Sequence, residues 1–379
     1  MKSMKAIQPL IFFAVCCKKG EGFTGGRVHY SGPRRMFGSS SIRLDMELEY
    51  TSTTIRPKGL EFDTSKFDEA LLENLKLDEM NTSLEIDTDI ESAESANGMP
   101  WKQSIAGPEA PLLYMPFWEW QLNFMKENLS NLRVLKCSAL GSASFETSTE
   151  DLSYVENDKK KARLVNLCFA SDEYRKIRMT YYDAGESCQV FNSVFYPHED
   201  HNLPVLGIDI LSFNRKKFLA IVDFQPLHEN EEEHDASYEN LILKPIREQY
   251  KSLKGKMSSK FYDETQFFSR QMLFSRFEKE KVITDELFPA YQEYVSAHLN
   301  MLQNTPRDKK NIPLVRERQT EYDTYSAERD PATGLFAAMF GKEWADQFVH
   351  GFLFSRSVMG DESSTSNVMG GPPTSAARQ

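Results

Sequence analysis

Cysteine is scarce in this chain: five in 379 residues, Cys16, Cys17, Cys137, Cys168 and Cys188. Apart from the adjacent pair near the start they are scattered, and none has the C-x-x-C spacing of a zinc or iron–sulfur site. Disulfide stapling does not fit this scatter; a reducing compartment does. No apolar run approaches the roughly 18 residues needed to span a bilayer. No G-x-G-x-x-G follows a strand-like run, and neither a Walker loop nor a G-x-S-x-G elbow is present. A bound dinucleotide or NTP is therefore not signalled, and an electron-transfer enzyme built on this chain has to work without its own flavin, haem or cluster. Positive charge is also short. With 45 Lys and Arg against 56 Asp and Glu the net charge is −11, a poor match to nucleic-acid phosphates, which need a basic face.

What is present is ordinary soluble composition, 40% hydrophobic and 27% charged, on a length that fits one large domain or two small ones. The charge is unevenly spread. Residues 1–44 contain eight Lys or Arg and one acid, Glu21, whereas 78–94 contain acids and no base. The chain begins MKSMKAIQPLIFFAVCC, two lysines before a short apolar run, and continues into a Gly-, Ser- and Arg-rich stretch. That order reads as a signal peptide followed by a transit peptide, a bipartite plastid-targeting segment over 1–44, with the stroma as destination. Residues 45–107 read as a polar, poorly ordered extension with one helix at 65–77, the compact domain as 108–357, and 358–379 as a disordered tail.

Within the domain, PFWEWQLNFMKENLSNL places Trp118, Leu122, Met125 and Leu129 at helical spacing. Five strand-like runs follow, at 162–171, 176–182, 187–196, 205–213 and 217–224. Their hairpin-length connections predict an antiparallel meander. The pattern then switches to helices at 239–253, 285–302, 331–340 and 343–354. Strands followed by helices indicate α+β, a sheet covered by helices.

Few residues carry chemical promise. His198 and His201 are three apart beside a proline, between strands; a solvated turn is the preferred reading over metal ligation. The cluster at 228–235 (HENEEEHD) reads as an exposed acidic loop. Asp209 stands alone in LGIDILSF, a run that looks buried on both faces. Burial raises a carboxyl pKa, which suits a proton donor, but a carboxylate bonded to backbone or arginine is equally compatible. Asp223 in IVDFQPL is a weaker case. Asp330 precedes Pro331 and suits a helix N-cap. Six Lys or Arg against one Glu between Lys244 and Lys260 form a basic patch on an acidic protein, either a docking site for an acidic partner or a solvated helix face.

At 183–197 (DAGESCQVFNSVFYP), 203–213 (LPVLGIDILSF), 222–227 (VDFQPL), 267–277 (FFSRQMLFSRF) and 322–344 (YDTYSAERDPATGLFAAMFGKEW) the chain resembles the ferredoxin-dependent bilin reductases. The resemblance implies an α/β/α sandwich holding biliverdin between an antiparallel sheet and the C-terminal helices. It also implies that reduced ferredoxin donates electrons singly, through bilin radicals, while the protein supplies protons. The substrate would then be the redox centre, which accounts for the missing cofactor motifs.

Carried over by position, Asp209 matches the family's strand aspartate at the bilin pyrrole nitrogens, and Asp330 its second aspartate. Asn192 and Thr180 fall where the phycocyanobilin-forming branch has a histidine and a glutamate. This departure implies reduction at the C15=C16 methine bridge to 15,16-dihydrobiliverdin, a step towards phycoerythrobilin. The alternatives are A-ring reduction of dihydrobiliverdin and a non-catalytic bilin carrier. Arg270 and Arg276 are candidates to pair with the bilin propionates. The basic residues Lys244, Arg247, Lys251, Lys254, Lys256 and Lys260 are candidates for ferredoxin, and a following bilin reductase is a further candidate partner of a monomer.

Overall fold

The computed structural model describes residues 103–107, 110–135, 137–139, 151–228, 230–256 and 266–357. The targeting segment, the helix expected at 65–77, the acidic linker, Lys260 and the C-terminal tail lie outside the described residues.

The meander forms as its sequence implies. Runs rich in β-branched and aromatic residues make β3 (Ala162–Ala170), β4 (Tyr174–Asp183), β5 (Cys188–Pro197), β6 (Val205–Phe213) and β7 (Lys217–Gln225), each antiparallel to the next. Three short strands complete the sheet: β1 (Arg133–Leu135) and β2 (Tyr154–Asn157) both pair β3, and β8 (Leu273–Phe277) pairs β7. Three residues, 214–216, close the β6–β7 hairpin; Asn214 and Arg215 have positive φ, 52° and 47°, and Lys216 N donates to the Phe213 carbonyl (3.1 Å). Two hydrogen bonds from Arg215 Nη2 to Glu280, at 2.6 and 2.8 Å, hold the turn in place.

Helices cover both faces, so the strands lose the in–out alternation of a one-sided sheet; every residue of β3 and β4 is buried. On one face lie α1 (Met115–Asn128), α2 (231–249) and α3 (283–304), burying Phe117, Trp118, Leu243, Tyr291 and Tyr294 against even-numbered residues of β6 and β7. On the other lie α4 (Ile312–Arg329), α5 (Ala332–Phe340) and α6 (342–353). The result is the α/β/α sandwich that the resemblance implies. In α2 and α3 a π-helical stretch, Asp235–Leu243 and Ile283–Leu287, ends two residues before Pro245 and Pro289. The wider winding suits a residue that lacks an N–H and crowds the preceding turn.

Helix α4 has no strong apolar stripe. It is attached through buried polar side chains instead: Arg175 Nε donates to Gln319 Oε1 (2.5 Å), Gln319 Nε2 to the Pro197 carbonyl (3.1 Å) and Tyr196 Oη to Asp323 (2.9 Å). Lys176 donates to the Phe352 carbonyl (2.5 Å) and Ser355 (3.1 Å), holding the end of α6 on β4.

Two expectations are corrected here. The 198–204 turn is not solvated: His198 and His201 are 1% and 3% exposed. The chain after α3 covers them, with Asp308 N donating to the Asp200 carbonyl (2.9 Å) and Arg316 paired with Glu199 (3.0 Å). His198 Nε2–H donates to the Ser171 carbonyl (2.8 Å), and burial lowers its pKa to about 3. The acidic cluster at 228–235 is not a loop throughout; α2 begins at Glu231, and His234 is buried against His228 and Tyr238. Tertiary order also begins before residue 108. Asp183 accepts hydrogen bonds from Ser104 Oγ (2.8 Å) and Ile105 N (2.7 Å), beside its ion pair with Arg163.

Candidate active site

Odd-numbered residues of β6 and β7 and even-numbered residues of β4 and β5 point to the α4–α6 face, where they floor a cavity. It encloses about 1200 Å³ of empty space, counting its open mouth. Val190, Val194, Leu211, Leu219 and Ile221 supply the apolar floor. Phe336 from α5, Leu353 and Phe354 from the end of α6, and Phe268 and Phe274 from the β8 side supply walls.

Its polar groups are few and concentrated. Register places Asn192 opposite Asp209 on β5 and β6, and Thr180 opposite Asn192 on β4. All three line the cavity, as does Asp330 at the α4–α5 junction. The topology thus brings together four residues singled out in the sequence. Asp330 Oδ1 accepts the Ala332 N–H (2.8 Å) at the start of α5, and the residue lines the cavity.

One residue that sequence reasoning missed organises the group. Arg178 of β4 is 2% exposed, lines the cavity and lies over the Phe354 ring at 5.3 Å. It donates through Nη1 to Asn192 Oδ1 (2.5 Å), and Asn192 Nδ2 donates to Asp209 Oδ1 (3.1 Å). A guanidinium can only donate, so it sets the amide with oxygen inward and nitrogen toward the acid. Asp209 Oδ1 is then an acceptor, and a proton on this carboxyl belongs on Oδ2. The signal was present in KIRMTYY, where alternation puts Arg178 on the Thr180 face, but the register that joins it to Asn192 is a tertiary fact.

Removal from bulk water raises the Asp209 pKa to about 7, with the negative charge of Asp330 adding to the rise and Asn192 and Arg178 opposing it. Burial also raises Asp330, against the Ala332 N–H and Arg178. A carboxyl raised as far as Asp209 can hold and deliver a proton near neutral pH, and Asp330 is shifted in the same direction. Asp223 is likewise raised to about 7 by burial, but its carboxyl is engaged by Ser269 N (2.8 Å) and Oγ (2.5 Å), which tie the Phe268 loop to β7.

The two arginines expected at propionates are not among the cavity-lining residues. Arg270 is exposed, and its backbone N–H donates to Glu239 (3.0 Å). Arg276 pairs with the floor residue Leu219 in the sheet and so shares the cavity face at the β8 edge, exposed and stacked over Phe274 at 5.3 Å. Among the described residues no group of three or more His, Cys, Asp or Glu is placed to hold a metal, and no helix is long and apolar enough to cross a membrane.

The family model "Ferredoxin-dependent bilin reductase" matches residues 137–355, and the chain belongs to that family, oxidoreductases that draw electrons from ferredoxin. Among its relatives, the 15,16-dihydrobiliverdin:ferredoxin oxidoreductase of Nostoc punctiforme is 42% identical over 208 residues, spanning 54% of this chain and 83% of that one. The protein of the same name from Gloeobacter violaceus is 40% identical over 213 residues, 55% and 85% of the two chains. Tomato phytochromobilin synthase, solved in complex with biliverdin, shares the fold at a TM-score of 0.54 and 22% identity, over 64% of this chain and 83% of that one.

Proposed function

We propose that this protein reduces biliverdin IXα at the C15=C16 methine bridge, yielding 15,16-dihydrobiliverdin. Two electrons arrive one at a time from two reduced ferredoxins and two protons are added, so C15=C16 becomes a single bond and two ferredoxins are oxidised. The observation that carries the reading is a pair of pKa-raised acids, Asp209 and Asp330, facing one aromatic-lined cavity, with an amide and not a second titrating base beside Asp209. Asn192 holds Asp209 but cannot itself deliver a proton, which favours chemistry centred on Asp209. Asp209 donates from Oδ2 to the bilin once an electron has made it more basic; Arg178 keeps the amide oriented and limits the negative charge of the two acids. Asp330 or solvent supplies the second proton. The names of the relatives from Nostoc punctiforme and Gloeobacter violaceus support this regiochemistry.

The electron donor's approach is proposed at the basic segment. Lys251, Lys254 and Lys256 are exposed, and Gly255 lies so close to β8 that a Cβ there would sit 2.6 Å from the Phe274 carbonyl. The Phe274 ring lines the cavity, so an acidic ferredoxin seated on these lysines is one strand away from the bilin. The basic, acid-poor segment at 1–44 supports import into a plastid, where ferredoxin is reduced.

Anaerobic turnover with biliverdin and reduced ferredoxin, followed by absorption and chromatography, tests the reading. Dihydrobiliverdin as sole product is expected. Phycoerythrobilin would move the protein to A-ring chemistry, and unchanged biliverdin would make it a carrier.

A further inference from the structure

Beyond the acids, the cavity contains one more polar group whose orientation is imposed by its surroundings. Gln225, the last residue of β7, lines the cavity, and its carboxamide lies across Gly207 of the neighbouring strand. A Cβ at position 207 would stand 2.3 Å from Gln225 Oε1 and 3.1 Å from Nε2. The missing side chain is therefore the seat on which the amide lies. Tyr322 of α4 donates its phenol proton to Gln225 Oε1 at 2.5 Å. Tyr322 is itself fixed by edge-on rings, Tyr196 at 6.0 Å and Phe267 at 5.6 Å, and Ser326 hydrogen-bonds the same phenol. With Oε1 committed to a donor, Nε2 is the end left to bond a ligand, and among the described residues no protein group takes it. A neutral amide N–H beside an apolar floor selects a neutral carbonyl acceptor over a carboxylate, which would bring a charge out of water without a counter-ion.

Position matches chemistry. Gly207 is two residues from Asp209 on the same face of β6, about 7 Å along the strand. A linear tetrapyrrole carries pyrrole nitrogens at its centre and a lactam carbonyl on each terminal ring. We propose that Gln225 is a substrate-anchoring residue whose carboxamide N–H binds a terminal-ring lactam carbonyl of the bilin while Asp209 faces the pyrrole nitrogens. The assignment rests on the bilin-reductase reading above and adds a residue that fixes the rotational setting of the ligand in the slot. That setting decides which methine bridge lies beside the acids. Gly207 and Tyr322 act through Gln225, one by leaving room and the other by setting the amide.

The test is resonance Raman of bound biliverdin, reading the lactam C=O stretch, with dissociation constants from absorbance titration of the full-length protein. Gln225→Leu should raise Kd roughly 3–10-fold, the worth of one neutral hydrogen bond, and move one lactam band to higher frequency. Gly207→Ala, which keeps the glutamine but displaces its amide, should move the same band in the same direction, and Tyr322→Phe should do so to a smaller extent. Gly207→Ala also serves if Gln225→Leu does not fold. Lactam bands that stay in place in variants that still bind biliverdin overturn the anchoring role alone. A wild-type protein that binds no biliverdin overturns both this role and the reading beneath it.

Discussion

Asp209 reaches its raised pKa through a balance at one side chain. Loss of water and the Asp330 charge push it up; one amide N–H and one nearby guanidinium hold it down. That balance has a thermodynamic consequence. The unfolded carboxyl loses its proton near pH 4 and the folded one near 7, so folding holds the proton longer and stability falls as pH rises through that window. Asp209→Asn removes the penalty. Denaturant unfolding should show the variant equal to wild type near pH 4 and more stable by about 4 kcal/mol at pH 8. A gain independent of pH would refute the raised pKa. The same variant should bind biliverdin but stop at a radical or unreduced stage; normal turnover would remove Asp209 from the proton path.

At the scale of elements, buried polar ties hold flanking segments on both faces of the sheet where a helical protein would use a greasy stripe. Asp183, at the end of β4, is fully buried and collects Arg163, Ser104 Oγ and the amides of Ile105 and Gly185. Removing that carboxylate leaves Arg163 buried without its counter-ion, the costly way to break such a pair. Asp183→Ala should lose roughly 3 kcal/mol or more of stability and free 103–107 to rapid hydrogen exchange; a loss under 1 kcal/mol would show that the ties are dispensable. The same polar attachment explains why α4 was not read as a helix. Gln319 and Asp323 are buried in it and leave little apolar periodicity, while the meander, built from apolar strands, was plain. The short strands β1, β2 and β8 went unread because three to five residues carry too little pattern.

At the scale of the whole molecule, an acidic protein presents a local run of lysines beside the cavity wall at Phe274. Long-range attraction of this kind acts on encounter and weakens with salt. The double substitution Lys251→Glu/Lys254→Glu should raise the KM for ferredoxin several-fold at low ionic strength, converge with wild type at high salt, and leave the Kd for biliverdin unchanged. An unaltered KM would place the docking surface elsewhere. Asp209, Asp330, Asn192 and the family itself were legible in linear motifs. The failure of Arg270 to line the cavity was not, because a residue's face depends on which strand it joins and how the loop before it is tied down.

Strand identity, hairpin order and the presence of an isolated acid in LGIDILSF follow from side-chain chemistry that is local along the chain. What only the tertiary structure decided is which of those side chains meet. Antiparallel register set Thr180, Asn192 and Asp209 in one line with Arg178 diagonal to Asn192, the packing of α4 and α5 brought Asp330 to the same cavity, and the absence of a Cβ at Gly207 gave Gln225 its seat. Proton affinity then followed from that meeting, because desolvation and neighbouring charge act through space and are indifferent to separation along the chain.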